Sequence, residues 1–221
     1  AKSIADFISK ISQKIFKNHS SLISVCTDNF SSNKKALNGD EESVQKMINK
    51  HIIREPCSAH SGNLAIDDMF SNDAEYGCVV NEVQILVNNP PEGSFREGFH
   101  PRLKTIRWKS LKKCVDFICI NMDKYLQSTS SIIKNSLEKI ETLIGWNNLN
   151  KMLTIMWNFI AQVERDLASI AQIVPPFLES LFQLIDMNLK SSLKLADYLI
   201  DRFTSTCPFK LPLLAFILTP S

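Results

Sequence analysis

Three groups of residues in this 221-residue chain could do chemistry by their type and spacing. Asp28 stands where the apolar run Leu22-Ile23-Ser24-Val25-Cys26 gives way to Thr27-Asp28-Asn29. A carboxylate at the end of a buried strand can hold Mg²⁺ or Mn²⁺, hard ions that take oxygen ligands. The same Asp28, or Asn29, can instead cap a following helix, because short polar side chains satisfy its orphan backbone N–H groups. One acid is also too few for two-metal phosphoryl transfer, which surrounds the scissile phosphate with several carboxylates.

Cys57 and His60 form the second group, after a shorter apolar run at Ile52-Ile53. At i and i+3 they share one face of a helical turn, which suits a metal or a thiol–imidazole pair. A metal would need two further ligands, and no second Cys/His pair stands at zinc-site spacing. A cysteine nucleophile would need an orienting Asn or Asp that spacing does not identify. The alternative is structural, with His60 hydrogen-bonded near the strand end. The third group is basic: Arg102, Lys104, Arg107, Lys109, Lys112 and Lys113 surround Trp108, with no acid between 102 and 113. An aromatic ring flanked by cations can hold an unstacked base beside a phosphate backbone. Alternatively, this is a solvated helix start with Trp108 packed into a helical core.

Positioning the first two groups calls for short parallel strands at 22–26 and 51–55, each opening into a helix, since ligands gather at the carboxyl ends of such strands. Helical spacing is read over 3–17, through Ile4, Phe7, Ile8, Ile11 and Ile15, and again over 40–50 and 58–70. A further helix is expected over 75–88, followed by the break Asn88-Asn89-Pro90-Pro91-Glu92-Gly93. Beyond it, four long helical patterns run over 109–124, 129–145, 147–172 and 175–203, with Pro175-Pro176 suited to a first turn. The expected fold class is therefore α/β at one sheet edge (1–75) joined to a large all-α part (76–221), helical overall.

Composition narrows the classes. Lys and Arg number 25 against 23 Asp and Glu, so no bulk charge draws the chain to nucleic acid. The six cysteines contain no C-x-x-C and no disulfide-framework spacing, which implies reduced thiols in the cytosol or nucleus. The apolar run Leu211–Leu218 is too short to span a bilayer and contains Pro212, and the amino end has no signal-peptide core. A soluble intracellular protein is expected, with no membrane contact.

Cys26-Thr27-Asp28-Asn29-Phe30-Ser31-Ser32-Asn33, then Pro56-Cys57-Ser58-Ala59-His60-Ser61-Gly62-Asn63-Leu64-Ala65-Ile66, then Arg107-Trp108-Lys109-Ser110 resemble the hAT-superfamily transposases. They are similar to that family's T-D-N-x-x-N, C-x-x-H and R-W motifs, in that order and at similar spacing. Pro212-Leu213-Leu214-Ala215 is similar to its P-L-L-A. The resemblance implies an RNase H-like catalytic domain, here a partial sheet edge, interrupted by a helical insertion. It implies DNA cutting and joining with three acids and Mg²⁺ or Mn²⁺. Asp28 would be the second catalytic acid and a metal ligand, and Cys57 and His60 the pair beside it. Trp108 would stack on a flipped base, with Arg107, Lys109, Lys112 and Lys113 along the DNA.

Departures shape the expectation. The family's first acid would lie before Ala1 and its third after Ser221, and Gly62 stands where a larger side chain is usual. The expected function is a fragment or decayed form of a nuclear DNA transposase, without cleavage of its own and with residual DNA binding. The alternative is a domesticated interaction or scaffold protein without catalysis; a cysteine hydrolase built on Cys57 and His60 is a third reading. With its neighbouring strands missing, the strand at 22–26 would be an apolar edge, and such edges invite pairing with a second chain, so self-association is expected.

Overall fold

Apolar residues recur at three- and four-residue intervals through most of the chain after Ser58, and they determine the architecture. A computed structural model describes residues 5–6, 9–10, 24–27, 53–94, 108–164 and 170–205. Strand β1 (Ser24–Thr27) pairs in parallel with β2 (Ile53–Pro56), Ser24 opposite Ile53 and Thr27 opposite Pro56. Helix α1 (Ser58–Asp67) follows at once and continues into a π-helical turn, Asp68–Asn72. After a tight turn come α2 (Val79–Asn88), α3 (Trp108–Ile120), α4 (Met122–Gln127), α5 (Ser131–Leu143) and α6 (Trp146–Val163). A 3₁₀ turn (Ile170–Ile173) leads into α7 (Val174–Asp186), and α8 (Lys190–Ser205) closes the described chain.

This corrects the α/β expectation. Extended structure among the described residues is limited to one ladder of four residue pairs, and it does not build an RNase H-like sheet. The physical reason lies in the apolar pattern. Two four-residue strands cannot enclose a core, whereas the helices bury their stripes against one another. One cluster of buried apolar residues runs from Ala59 to Phe203 and draws on all eight helices, α4 contributing Tyr125. Helix α1 packs on α6 and α8, α2 on α3 and α5, and α7 on α6 and α8. Phe159, Phe177 and Phe203 meet where α6, α7 and α8 converge, with ring centroids 4.7 to 6.4 Å apart.

Several helix ends depart from the sequence expectation, most of them for a local reason. The 109–124 pattern breaks at Asn121, whose side-chain amide donates to the Phe117 carbonyl and whose own carbonyl takes up Lys124 N–H. The 75–88 pattern becomes helical only at Val79, because Asp73 Oδ1 accepts the Glu75 and Tyr76 N–H groups at 2.8 and 3.0 Å and holds a turn there. The 147–172 pattern leaves the α-helix at Val163. The long pattern over 175–203 is two helices. Asn188 takes a left-handed φ of 49° between them, and Ser192 Oγ accepts the Leu189 N–H at 3.2 Å to start α8. The helix expectations over 3–17 and 40–50 lie largely or wholly outside the described residues. No described helix is long and apolar enough to cross a membrane.

Candidate nucleic-acid interface and the Cys57–His60 turn

The parallel register sets the first part of the site. The chain leaves β1 at Thr27 opposite Pro56, the residue before Cys57. Asp28 itself lies outside the described residues. Cys57 occupies the cap position of α1 in an extended conformation (φ −63°, ψ 119°), and its carbonyl accepts the Ser61 N–H at 2.9 Å. Cys57 is half-buried, and His60, also half-buried, stands three residues on in the first turn. Both expected residues therefore sit at the amino end of one helix. Among the described residues no three His, Cys, Asp or Glu side chains come together to hold a metal ion. Asp28, where Mg²⁺ or Mn²⁺ is expected, is not among them.

Helix α1 can approach its neighbours closely because most of its inner face is small: Ser58, Ala59, Ser61, Gly62 and Ala65 are buried, with Ile66 the one large residue among them. A Cβ at Gly62 would lie 2.9 Å from Phe159 Cε1 and 3.1 Å from Ile160 Cγ1, so only glycine fits this crossing without movement. The glycine at this position therefore has a packing cause.

The basic group divides. Arg107, with Arg102 and Lys104, lies outside the described residues, and Trp108 is the first residue of α3. Leu111, Cys114, Val115 and Ile118 turn inward on α3, leaving the lysines on its other side. Burial pushes the Cys114 thiol up to about 11, which suits a core role. Lys109 extends into solvent and ion-pairs with Glu164 at 2.6 Å. Lys112 is mostly covered, its ammonium held by Asp116 at 2.5 Å and by Asn150 Oδ1 at 3.2 Å. Lys113 is exposed and makes no ion pair among the described residues. Of the three lysines, Lys113 presents its charge outright, Lys109 shares it, and Lys112 is engaged within the fold.

A charged row on α8 was not singled out from sequence. Lys190, Lys194, Tyr198 and Arg202 recur every four residues along one face and grip the segment after α1. Lys190 meets Glu75 at 2.8 Å, Lys194 and Tyr198 meet Asp73 at 2.7 and 2.8 Å, and Arg202 takes Asp68. Burial opposes ionisation of Asp73, but Lys194, Tyr198 and two backbone N–H groups outweigh it and hold the carboxyl far below the usual range. The four-residue recurrence was visible in the sequence; its acidic partners, more than a hundred residues earlier, were not.

No protein-family model matches the chain, and no curated protein or solved structure compared with it matches either.

Proposed function

We propose that this chain is a hAT-transposase-type protein that contacts DNA in the nucleus through the amino-terminal turns of α3. The observation that carries the reading is the start of α3: Trp108 opens the helix, with the exposed Lys109 and Lys113 in its first two turns. An aromatic platform with adjacent cations is a general solution for holding single-stranded or distorted nucleic acid. The ordered likeness of Thr27-Asp28-Asn29, Cys57–His60 and Arg107-Trp108 to the transposase motifs supports the same reading. So does the placement of Cys57 and His60 in a single helical turn directly after β2.

The test is binding of the whole chain to a fluorescent hairpin DNA at low salt. Trp108→Ala is expected to weaken binding by about 1–3 kcal/mol, the size of one stacking contact. Unchanged affinity would confine Trp108 to packing and remove the main support for this reading.

A second reading, an interaction protein without catalysis, is favoured by a different observation. Ile120, Leu126 and Ile132, around the α3–α4–α5 corner, are 76, 63 and 57% exposed. Concentration-dependent light scattering that disappears in an Ile120→Ser, Leu126→Ser variant, with no DNA binding by the parent, would favour it.

A further inference from the structure

The ion pair between Lys109 and Glu164 has a feature that helix stability does not explain. Glu164 is the carboxyl-terminal cap residue of α6, where the helix dipole already places partial negative charge. A carboxylate there is unfavourable for α6 unless a cation answers it. Lys109, 55 residues earlier and on the first turn of α3, supplies that cation at 2.6 Å. Both side chains remain substantially exposed, at 49 and 39%, so solvent and other anions reach the pair. The contrast with Lys112 is sharp. Its side chain is only 11% exposed, and Asp116 and Asn150 both hold it, so an outside anion has little access to it.

We propose that Glu164 is an internal competitor for the nucleic-acid phosphate, occupying Lys109 until a backbone phosphate displaces it. The inference rests on the nucleic-acid reading of α3 above. In the unbound state it leaves Lys113 as the standing charge of the described part of the basic run and keeps Lys109 in reserve. A single exposed ion pair is weak, so displacement by a densely charged polymer is accessible, and its cost appears as reduced affinity. Phosphate contacts of this kind position the polymer and do not read its sequence. Removing Glu164 should therefore tighten binding equally for unrelated sequences.

The test is a salt titration of hairpin-DNA binding by the full chain, followed by fluorescence anisotropy. Glu164→Gln is expected to tighten binding about two- to five-fold, as expected from releasing one exposed ion pair. The slope of log K against log salt should steepen by about one unit as Lys109 becomes a full phosphate contact. Adding Lys109→Gln should abolish both gains. Lys109→Gln and Glu164→Gln each break the same pair, so a merely structural tie would change binding in the same direction in both variants, and that result overturns the inference. Unchanged binding by Glu164→Gln, with Lys113→Ala weakening it, would also overturn the inference while leaving the nucleic-acid reading in place. No binding by the parent or any variant would remove that reading itself.

Discussion

Arg202 lays two nitrogens of its guanidinium on the Asp68 carboxylate, Nε and Nη2 each 2.5 Å from an oxygen, across 134 residues of chain. The contact joins the last turns of α8 to the π-helical turn that extends α1. It is the carboxyl-terminal member of the row formed by Lys190, Lys194, Tyr198 and Arg202. Below the row, Leu195, Ala196, Leu199 and Phe203 of α8 are buried in the core. Helix α1, with Cys57 and His60 at its start, is thus fixed by apolar packing on one side of α8 and charged contacts along the other. A fork-shaped contact cannot be reproduced by a lysine, whose ammonium is a point donor. Arg202→Lys is expected to lower stability by about 1 kcal/mol, read as a shift in the urea midpoint with an unchanged slope.

Asp73 is the centre of the same row, and its protonation gives stability a pH dependence of known sign. Its folded-state pKa is depressed below the ordinary 3.8, burial working against the larger combined effect of Lys194, Tyr198 and the Tyr76 and Glu75 N–H groups. A depressed carboxyl contributes stability that is fully present above its unfolded pKa and is lost as pH falls toward the folded one. Asp73→Asn is therefore expected to cost about 2 kcal/mol at neutral pH, the scale of hydrogen bonds to a charged group. The gap between parent and variant should narrow steadily as pH drops below about 4. Urea unfolding from pH 7 to pH 2 measures it. A constant gap across that range would show that the carboxylate charge is not what holds the turn.

Glu82 shows how a buried charge is tolerated between α2 and α5. Its carboxylate is nearly covered, and it accepts the Ser136 hydroxyl at 2.8 Å and the Lys139 ammonium at 2.5 Å. The hydrogen bond to Glu82 raises the Lys139 pKa, so the ammonium keeps its charge through neutral pH. Ser136→Ala removes one donor and leaves Glu82 Oε2 short of a partner inside the fold. A loss of about 1–2 kcal/mol is expected, checked by thermal unfolding. The parallel Glu82→Gln variant should then be less sensitive to Ser136→Ala.

Much of the helical part was legible because its signals are local. The apolar stripe Val79, Val80, Val83, Leu86 and Val87 marks α2, and Pro175-Pro176 marks the start of α7. The misread helix limits also have local causes, a side-chain hydrogen bond at Asn121 and a left-handed backbone at Asn188, that compete with a continuing apolar pattern. The α/β expectation failed for a different reason. Ile52-Ile53 is a two-residue apolar run, and a strand that short is compatible with a marginal ladder as well as with a sheet. Cys57 and His60 were placed correctly in one turn because i and i+3 is a local relation. That Lys109 pairs with Glu164, and that Lys112 meets Asn150 as well as the neighbouring Asp116, depends partly on residues distant in sequence, and periodicity carries no information about such partners.

Gly62 tests how tightly α1 is fitted to α6. Two effects oppose each other in Gly62→Ala. The alanine gains about 1 kcal/mol of helix propensity, but its Cβ would stand 2.9 Å from the Phe159 ring and 3.1 Å from Ile160. Phe159 has little room to yield, since its ring is set edge-on against Phe177 and Phe203 at 6.4 and 5.7 Å. Overpacking a closed site of this kind costs about 1–3 kcal/mol, so the clash is expected to win and Gly62→Ala to be destabilising. Gly62→Val adds further atoms in the same direction and should cost more. Phe159→Leu combined with Gly62→Ala should recover part of the loss, because the smaller side chain makes room where the ring edge stood. If Gly62→Ala instead raised the unfolding midpoint, α1 would have to be free to shift off α6, and the tight crossing that places the Cys57–His60 turn would be refuted.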